Sequence, residues 1–286
     1  MIAIVVLTHN RVHLLRRCVE DVLARTSELT QEIVIWNNGS TDATRSYLES
    51  LDDPRITCVH HGENIALNAL GPAFRLTRAP YLVGLDDDVV EAPEQWDETL
   101  LDAFRRLPSI GFLCASIAYD PTDAASRYLR HMREVVGAYT PREVNGVRIL
   151  EGSVGPACTM TSRELYERAG GFRQHRKFVY WRPDVPYQRA IRKLGYGSAF
   201  LVDLEVRHAG GPQHSELPRP KLEFYEHETR LTARKDRAKR AILGVPFAAT
   251  LNRRYRWFDP PLPPFDPRRY DAEPQAAPPP GQSAAS

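Results

Sequence analysis

The chain has 286 residues, of which 42% are hydrophobic and 9% aromatic, which fits one large α/β domain with appendages. Its formal net charge is +2, with both signs spread along the chain, so bulk charge does not indicate a nucleic-acid or membrane partner.

The first part of the chain alternates between predicted strands and predicted helices. Four short apolar runs rich in β-branched residues are predicted to be buried strands: 2–7, 32–36, 55–60 and 81–85. Helices are predicted between them over 11–25, over 65–78, and from a cap at Ser40 or Thr41 to about Leu51. This series predicts a doubly wound sheet that binds ligands at the carboxyl ends of its strands.

Polar residues follow the first, second and fourth of these strands. They are Thr8-His9-Asn10, Asn37-Asn38-Gly39-Ser40 and Asp86-Asp87-Asp88. Because the carboxyl ends of parallel strands meet at one edge of a sheet, the three loops are expected to converge there.

The second part of the chain predicts a change to a mixed sheet. After a helix over 94–106, strands are predicted over 111–118 and 157–161, and Asn145-Gly146 marks a hairpin within 142–150. A helix is predicted over 184–194, ended by Gly195, and a charged helical stretch over 218–243.

Four separated cysteines indicate free thiols: Cys18, Cys58, Cys114 and Cys158. No run approaches the ~20 apolar residues of a membrane span, and no basic leader precedes the first strand. The sequence therefore predicts a cytoplasmic protein.

Three adjacent carboxylates at the end of a strand repel one another and usually need a cation or a set of donors. In extended backbone Asp86 and Asp88 point to one side and Asp87 to the other, so the D-x-D pair can face one hard divalent cation. The alternative is a solvated acidic loop that caps the helix near Pro93.

Six short motifs occur in an order that resembles one known family. They are Thr8-His9-Asn10-Arg11, Asn37-Asn38-Gly39-Ser40-Thr41-Asp42, Asp86-Asp87-Asp88, Gly170-Gly171-Phe172, Pro183-Asp184 and His208-Ala209-Gly210-Gly211. Asn64 and Asn68 lie on the helix that leads to the aspartates. In this order the motifs resemble family-2 type glycosyltransferases with the GT-A fold, over residues 1–212.

The resemblance implies an α/β, Rossmann-like GT-A fold with a mixed, mostly parallel sheet flanked by helices in a single main domain. Residues 1–118 would bind the nucleotide sugar and 119–212 would form the acceptor and catalytic part. Residues 213–258 are predicted to be a helical extension, and the Pro-rich segment 259–286 a disordered tail.

The resemblance also implies a role for each motif residue. The metal, Mn²⁺ or Mg²⁺, would be held by Asp88, Asp86 and His208, and Asp184 would be the catalytic base of an inverting transfer. The nucleotide-sugar contacts would be Thr8, Asn10, Arg11, Asn37, Asn38, Asn64, Asn68, Asp86 and Asp87. The acceptor contacts would be Tyr180, Trp181 and Arg182.

Two positions depart from the family pattern. Asn37 stands where the family usually has an acid that contacts the nucleobase; because an amide both accepts and donates, uracil, guanine and thymine all stay open. Pro183-Asp184 stands where Glu-Asp is common, so Asp184 is the single carboxylate of that motif.

The implied reaction is hexosyl or pentosyl transfer from a nucleoside-diphosphate sugar to an acceptor hydroxyl. The acceptor is left open between a saccharide, a lipid-linked molecule, a small natural product and a nucleic acid. A homodimer is also left open, as is peripheral contact of the basic stretch 230–240 with the inner face of a membrane.

Two other enzyme classes and a non-catalytic role are the alternatives to glycosyl transfer. A sugar-phosphate nucleotidyltransferase needs a Gly-rich loop after the first strand, which Thr8-His9-Asn10-Arg11 does not provide. A phosphatase would have its acidic pair after the first strand. The non-enzymatic alternative is a nucleotide-binding scaffold without catalytic activity. For Asp184, the alternative is a purely structural role as the cap of its helix.

Overall fold

The computed structural model describes residues 1–120, 124–134, 137–177, 182–209, 227, 230–231, 234–235, 237–239 and 241–255. The strands are β1 Ile2–Thr8, β2 Thr30–Asn38, β3 Ile56–His61, β4 Tyr81–Asp86, β5 Val89–Glu91, β6 Ile110–Ile117, β7 Thr140–Val144, β8 Val147–Glu151, β9 Cys158–Ser162 and β10 Gly197–His208. The helices are α1 Val12–Arg25, α2 Thr44–Glu49, α3 Leu70–Arg75, α4 Trp96–Arg106, α5 Ala124–Glu134, α6 Arg163–Arg168, α7 Asp184–Lys193 and α8 Pro246–Tyr255.

The strands form one sheet in the order β3-β2-β1-β4-β9-β6-β10-β8-β7, with β5 paired to β10. Strands β3, β2, β1 and β4 are parallel, as predicted. Both β4 and β6 are antiparallel to β9, and β10 is parallel to β6. Strands β1, β2, β4, β6 and β10 therefore run in the same direction, and their carboxyl ends share one edge.

Apolar side chains cover both faces of the sheet, which is why β1 is buried along its length. One layer packs α1 and α4 on the sheet through residues such as Leu15 and Trp96. The other layer packs α3, α6 and α7 through Phe74, Leu165 and Tyr187. None of the helices in the described ranges has the length and apolar character to cross a bilayer.

The predicted helix over 65–78 is shorter and broken in the structure. A 3-10 turn over Ala66–Ala69 precedes α3, and Ala66 has a positive φ of 45°. Pro72 has no amide hydrogen to donate to an upstream carbonyl, which disfavours a continuous α-helix here. The hairpin prediction is confirmed: Asn145 and Gly146 both have positive φ, as a type I′ turn requires.

The predicted cap of α2 is wrong, because α2 begins at Thr44 and neither Ser40 nor Thr41 caps it. The Ser40 hydroxyl accepts a hydrogen bond from the amide of Asn10, and the Thr41 amide donates to the Asn10 side chain. Both residues are thus committed to the loop after β1. Strands β5 and β10 and helices α5 and α6 were not predicted.

Asp97 ties the start of α4 to the turn between α1 and β2. Its carboxylate is fully buried and accepts hydrogen bonds from the amide and hydroxyl of Ser27 and from the hydroxyl of Thr30, at 2.8, 2.9 and 2.6 Å. We expect Asp97→Ala to lower the free energy of unfolding by about 3 kcal/mol, because the buried hydroxyl of Thr30 and the part-buried amide and hydroxyl of Ser27 lose their acceptor. Urea unfolding measures this.

Asp102→Ala is the matched control, since Asp102 lies on the same helix with an exposed side chain paired to Arg106. It should cost about 0.5 kcal/mol. Equal losses in the two variants would contradict the role given to Asp97.

Candidate active site at the carboxyl edge of the sheet

The loops that follow β1 and β2 are hydrogen-bonded to each other. Asn10 has a left-handed φ of 53°; its amide donates to Ser40 Oγ at 3.0 Å and its Oδ1 accepts from the Thr41 amide at 2.7 Å. Asp42 Oδ2 accepts from the amide of Val12 at 3.1 Å. Asn10 therefore positions both loops, and a nucleotide contact by Asn10 stays a prediction.

Asn38 is buried, and its amide group is occupied by the loop after β3. Its Nδ2 donates to Asn64 Oδ1 at 2.9 Å and to the carbonyl of Ala66 at 3.2 Å, and its Oδ1 accepts from the Ile65 amide at 3.1 Å. Asn64 and Asn38 thus hold each other, and their predicted contact with the nucleotide would require them to exchange these partners.

The neighbouring residue Gly39 is required by close packing. It has φ of +69°, and an added Cβ would lie 2.6 Å from the carbonyl carbon of Glu63. A side chain at this position would push the loop after β3 away from the end of β2.

Asn37 lies at the end of β2, opposite the buried Thr8 of β1. Its Oδ1 accepts a hydrogen bond from the Ser40 amide at 3.0 Å, and its Nδ2 lies 3.2 Å from Nδ1 of His60. The side-chain amide of Asn37 is therefore oriented by the Ser40 backbone and by the neighbouring His60. Sequence reasoning did not single out His60, which the parallel pairing of β2 and β3 places opposite Asn37.

Asn68 holds the segment that follows Gly170-Gly171-Phe172. Its Oδ1 accepts from the amide of His175 at 2.8 Å, and its Nδ2 donates to the carbonyl of the same residue at 3.0 Å. Gly71 allows this close approach, because an added Cβ would lie 2.4 Å from the Phe172 carbonyl oxygen. Asn68 thus links the chain between β3 and α3 to the segment before Asp184.

The aspartates and His208 meet at the edge, as predicted. One ligand atom each from Asp86, Asp88 and His208 lies within 4.8 Å of the others. Nε2 of His208 lies 3.0 Å from Oδ1 of Asp88, and the amide of Ala209 donates to the carbonyl of Asp88 at 2.7 Å. The antiparallel pairing of β10 with β5, which places His208 opposite Val89, brings these residues together although they are far apart in sequence.

Arg11 neutralises part of this acidic cluster. Its Nη1 donates to Oδ1 of Asp87 and to Oδ2 of Asp88, each at 3.0 Å. Asp87 is buried and contacts the same guanidinium as Asp88. Because Arg11 already holds Asp87, a direct contact of Asp87 with a nucleotide stays a prediction.

Burial and mutual repulsion perturb the carboxyl groups. Burial, reinforced by the charge of Asp88, raises the pKa of Asp86 to about 7. Burial also raises the pKa of Asp87 to about 6, against the opposing charge of Arg11. Burial acts in the same direction on Asp88, but His208 and Arg11 outweigh it and hold the pKa of Asp88 below its ordinary value.

Asp184 is the first residue of α7, with Pro183 in the cap position and no side-chain cap hydrogen bond. Its carboxylate is almost fully buried and accepts a hydrogen bond from Arg182 Nη2 at 3.3 Å. Burial raises the pKa of Asp184, and Arg182 partly opposes this shift. Arg182 itself is half exposed, and Tyr180 and Trp181 lie outside the described residues, so the three predicted acceptor contacts stay predictions.

A family model described as "Glycosyl transferase family 2" matches residues 3–170 of this chain. Among curated proteins, a putative colanic acid biosynthesis glycosyl transferase, WcaA of Escherichia coli (strain K12), is 28% identical over 158 residues, covering 48% of this chain and 54% of its own length. Validoxylamine A glucosyltransferase of Streptomyces hygroscopicus subsp. jinggangensis is 32% identical over 126 residues, covering 42% of this chain and 30% of its own length. An uncharacterized protein of Sinorhizobium fredii, y4gI, is 23% identical over 246 residues, covering 78% of this chain but 26% of its own length.

Solved structures share the fold. The mannosyltransferase PcManGT from Pyrobaculum calidifontis, in complex with GDP-Man and Mn²⁺, aligns with a TM-score of 0.51 and 21% identity, covering 76% of this chain and 57% of that chain. GalNAc-T7 with UDP, GalNAc and Mn²⁺ aligns with a TM-score of 0.56 and 15% identity, covering 79% of this chain and 46% of that chain. The predicted mixed α/β fold of GT-A type is therefore confirmed.

Proposed function

Because this chain belongs to glycosyl transferase family 2, we propose that it transfers a sugar from a nucleoside-diphosphate sugar to an acceptor hydroxyl, with inversion and with the help of Mn²⁺ or Mg²⁺. The observation that carries the proposal is the convergence of Asp86, Asp88 and His208 at the carboxyl edge of the sheet. The chain spans 54%, 30% and 26% of the lengths of the curated relatives, so the activity of the whole protein is part of the proposal.

The donor set fits a divalent cation. Two carboxylates and one imidazole offer hard oxygen ligands and a nitrogen ligand within 4.8 Å of one another, which suits Mn²⁺ and tolerates Mg²⁺. When bound, such a cation neutralises the charge that develops on the departing diphosphate. The structures of PcManGT with GDP-Man and of GalNAc-T7 with UDP both contain Mn²⁺, which supports a divalent cation at this site.

The raised pKa values predict how pH and metal act on stability. An aspartate in an unfolded chain titrates near ~3.9, whereas the pKa of Asp86 is about 7 and that of Asp87 about 6 in the fold. Between about pH 4 and about pH 7 the folded chain therefore binds more protons at these groups than the unfolded chain, so they favour the fold at low pH and this stability is lost as the pH rises. The lowered pKa of Asp88 adds stability that is fully present across this window and is lost only as the pH falls below it.

We expect Mn²⁺ to raise the Tm by several degrees at about pH 8 and by much less at about pH 5.5, because protons compete with the cation for Asp86. Differential scanning fluorimetry with Mn²⁺ or EDTA measures both shifts. An equal shift at the two pH values, or one that persists in Asp86→Asn, would contradict the assignment of Asp86 as a ligand.

Asp184 is the proposed base. It accepts the proton of the acceptor hydroxyl as the hydroxyl oxygen attacks the anomeric carbon and the bond to the diphosphate breaks. Its burial supports this role, because a raised pKa brings a carboxylate closer to the operating pH and makes it a stronger base. On the donor side, Arg11 is the proposed contact for the diphosphate and Asn37 the proposed contact for the nucleobase. The other proposed residues of the nucleotide-sugar site are Thr8, Asn10, Asn38, Asn64, Asn68 and Asp87.

The experiment that tests the proposal is a screen of UDP, GDP and dTDP sugars with Mn²⁺, Mg²⁺ or EDTA. Release of free nucleoside diphosphate is expected for one nucleobase class, at least about tenfold faster with metal than with EDTA, because metal coordination supplies several kcal/mol of charge stabilisation. Nucleotide binding without turnover across the panel would support the non-catalytic nucleotide-binding scaffold instead, and absence of both would contradict the proposed donor.

The cytoplasm is the proposed compartment, supported by four cysteines that are all unpaired. Peripheral contact with anionic lipid is proposed for the segment before and within α8. There Ile242, Val245 and Phe247 are exposed, and exposed basic residues such as Arg234 and Lys235 precede them. Co-sedimentation with vesicles that contain phosphatidylglycerol, but not with pure phosphatidylcholine vesicles, tests this contact, and light scattering tests for a homodimer.

A further inference from the structure

A cleft of about 280 Å³ lies between α5 and the part of the sheet formed by β6, β10 and β8. Phe200 of β10 and Leu150 of β8 form its apolar floor, and Tyr139 packs edge-on against Phe200 with ring centroids 5.5 Å apart. The site described above uses none of these residues. The volume is near the lower end for small-molecule pockets and fits one or two sugar rings.

Two polar groups of opposite charge line this cleft without partners. The side chains of Arg133 on α5 and Glu205 on β10 are exposed, and neither side chain forms an ion pair or a hydrogen bond with another residue in the described ranges. The neighbouring Arg130 is already committed, because its Nε contacts Glu134 at 3.1 Å and its guanidinium lies 4.6 Å from the Tyr119 ring centroid. Arg133 and Glu205 are therefore the groups available to a ligand.

The position of the cleft relates it to the proposed chemistry. Phe200 belongs to the core layer that also contains Tyr187 and Ile191 of α7, so the cleft lies on the face of the sheet that carries Asp184. Glu205 precedes His208 by three residues on β10, which is roughly 10 Å along a strand. The cleft is thus on the face of the candidate base and close to the edge that holds the candidate metal site.

We propose that this cleft binds the saccharide end of the acceptor, with Glu205 and Arg133 contacting its hydroxyls and Tyr139 packing against a ring. This inference rests on the proposed function and narrows its acceptor class. A carboxylate accepts hydrogen bonds from hydroxyl groups, and a guanidinium donates hydrogen bonds to them. A cleft with one carboxylate and one guanidinium therefore matches a neutral polyhydroxylated ring. Glu205 would repel the phosphates of a nucleic acid, and an acyl chain would leave both charges unmatched.

The test uses the full chain with Mn²⁺ and UDP or GDP, and saturation-transfer NMR with the methyl glycosides of glucose, galactose, mannose and rhamnose as probes. At least one glycoside is expected to bind. In Glu205→Gln and in Arg133→Met its binding should weaken at least about tenfold, which is what loss of a hydrogen bond to a charged group implies. Nucleotide binding should stay unchanged in both variants.

Glu98→Gln is the matched control, since Glu98 is exposed on α4, which packs on the opposite face of the sheet. Leu129→Trp, which fills the cleft from α5, should also abolish glycoside binding and leaves the two charges in place. If no glycoside binds while nucleotide still does, or if binding survives both charge variants, the inference is overturned. If the unmodified chain binds no nucleotide, the proposed function is overturned instead.

Discussion

Asp184→Asn is expected to lower the rate of sugar transfer by about 10²–10⁴-fold, the range that a general base contributes, while donor binding changes less than about twofold. The amide keeps the shape of the side chain but cannot take a proton from the acceptor hydroxyl. Transfer is measured as release of nucleoside diphosphate with the acceptor and donor that the screens identify, and donor binding by calorimetry.

The same variant separates catalysis from a structural role. Because burial raises the pKa of Asp184, its charged form costs the fold some stability at neutral pH, and a neutral amide removes that cost. The weak ion pair with the half-exposed Arg182 is lost in exchange. We therefore expect the Tm to stay within a few degrees of the unmodified chain.

Asp52→Asn, the same change at an exposed position in the loop before β3, is the control and should leave both rate and Tm unchanged. A fully active Asp184→Asn enzyme would remove Asp184 as the base. A large fall in Tm together with lost donor binding would assign it a structural role at the start of α7.

Asp88→Ala is expected to weaken the binding of nucleoside diphosphates in the presence of Mn²⁺ by more than about 100-fold. Outer-shell partners of metal ligands are already worth about 10–100-fold in metal affinity, and Asp88 is placed here as a direct ligand. Its two oxygens contact His208 and Arg11, so its loss also removes the shared partner of these two side chains. Calorimetric titration with and without Mn²⁺ measures the effect.

Two comparisons make this result specific to the metal. Asp88→Asn keeps the packing of the buried side chain and should also lose the difference between Mn²⁺ and EDTA, whereas Asp52→Ala should retain it. Nucleotide binding that is indifferent to metal in the unmodified chain, and equal in Asp88→Ala, would show that the aspartates serve only to hold Arg11.

Much of the parallel part of the sheet follows from local sequence patterns. Apolar runs bounded by polar turns mark β1, β2, β3 and β4, because a strand buried on both faces needs such a run. The second half of β10 also carried a signal that was missed, because buried and exposed residues alternate along it as in a half-buried strand. Helix α5 mixes apolar with basic residues and was not recognised.

The sequence also predicted which side chains gather at the edge, but not what they contact. Asn68 was predicted at the nucleotide and in the structure pairs with the backbone of His175, and Asn38 was predicted there and pairs with Asn64. Ser40 was predicted as a helix cap and Asp42 only as part of a motif, yet both hold the loops after β1 and β2 together. An amide has the same donors and acceptors in every such role, so its type alone does not distinguish them.

The sequence by itself thus determined the α/β class, the parallel first half and the convergence of Asp86 and Asp88 at a strand end, since these depend on periodicity and on the direction of adjacent strands. The tertiary structure decided the partners. Arg11 meets Asp87 because β1 pairs directly with β4, and His208 reaches Asp88 because β10 pairs with β5. The cleft under α5 likewise exists only because distant segments pack together, and packing at that range is set by the whole core.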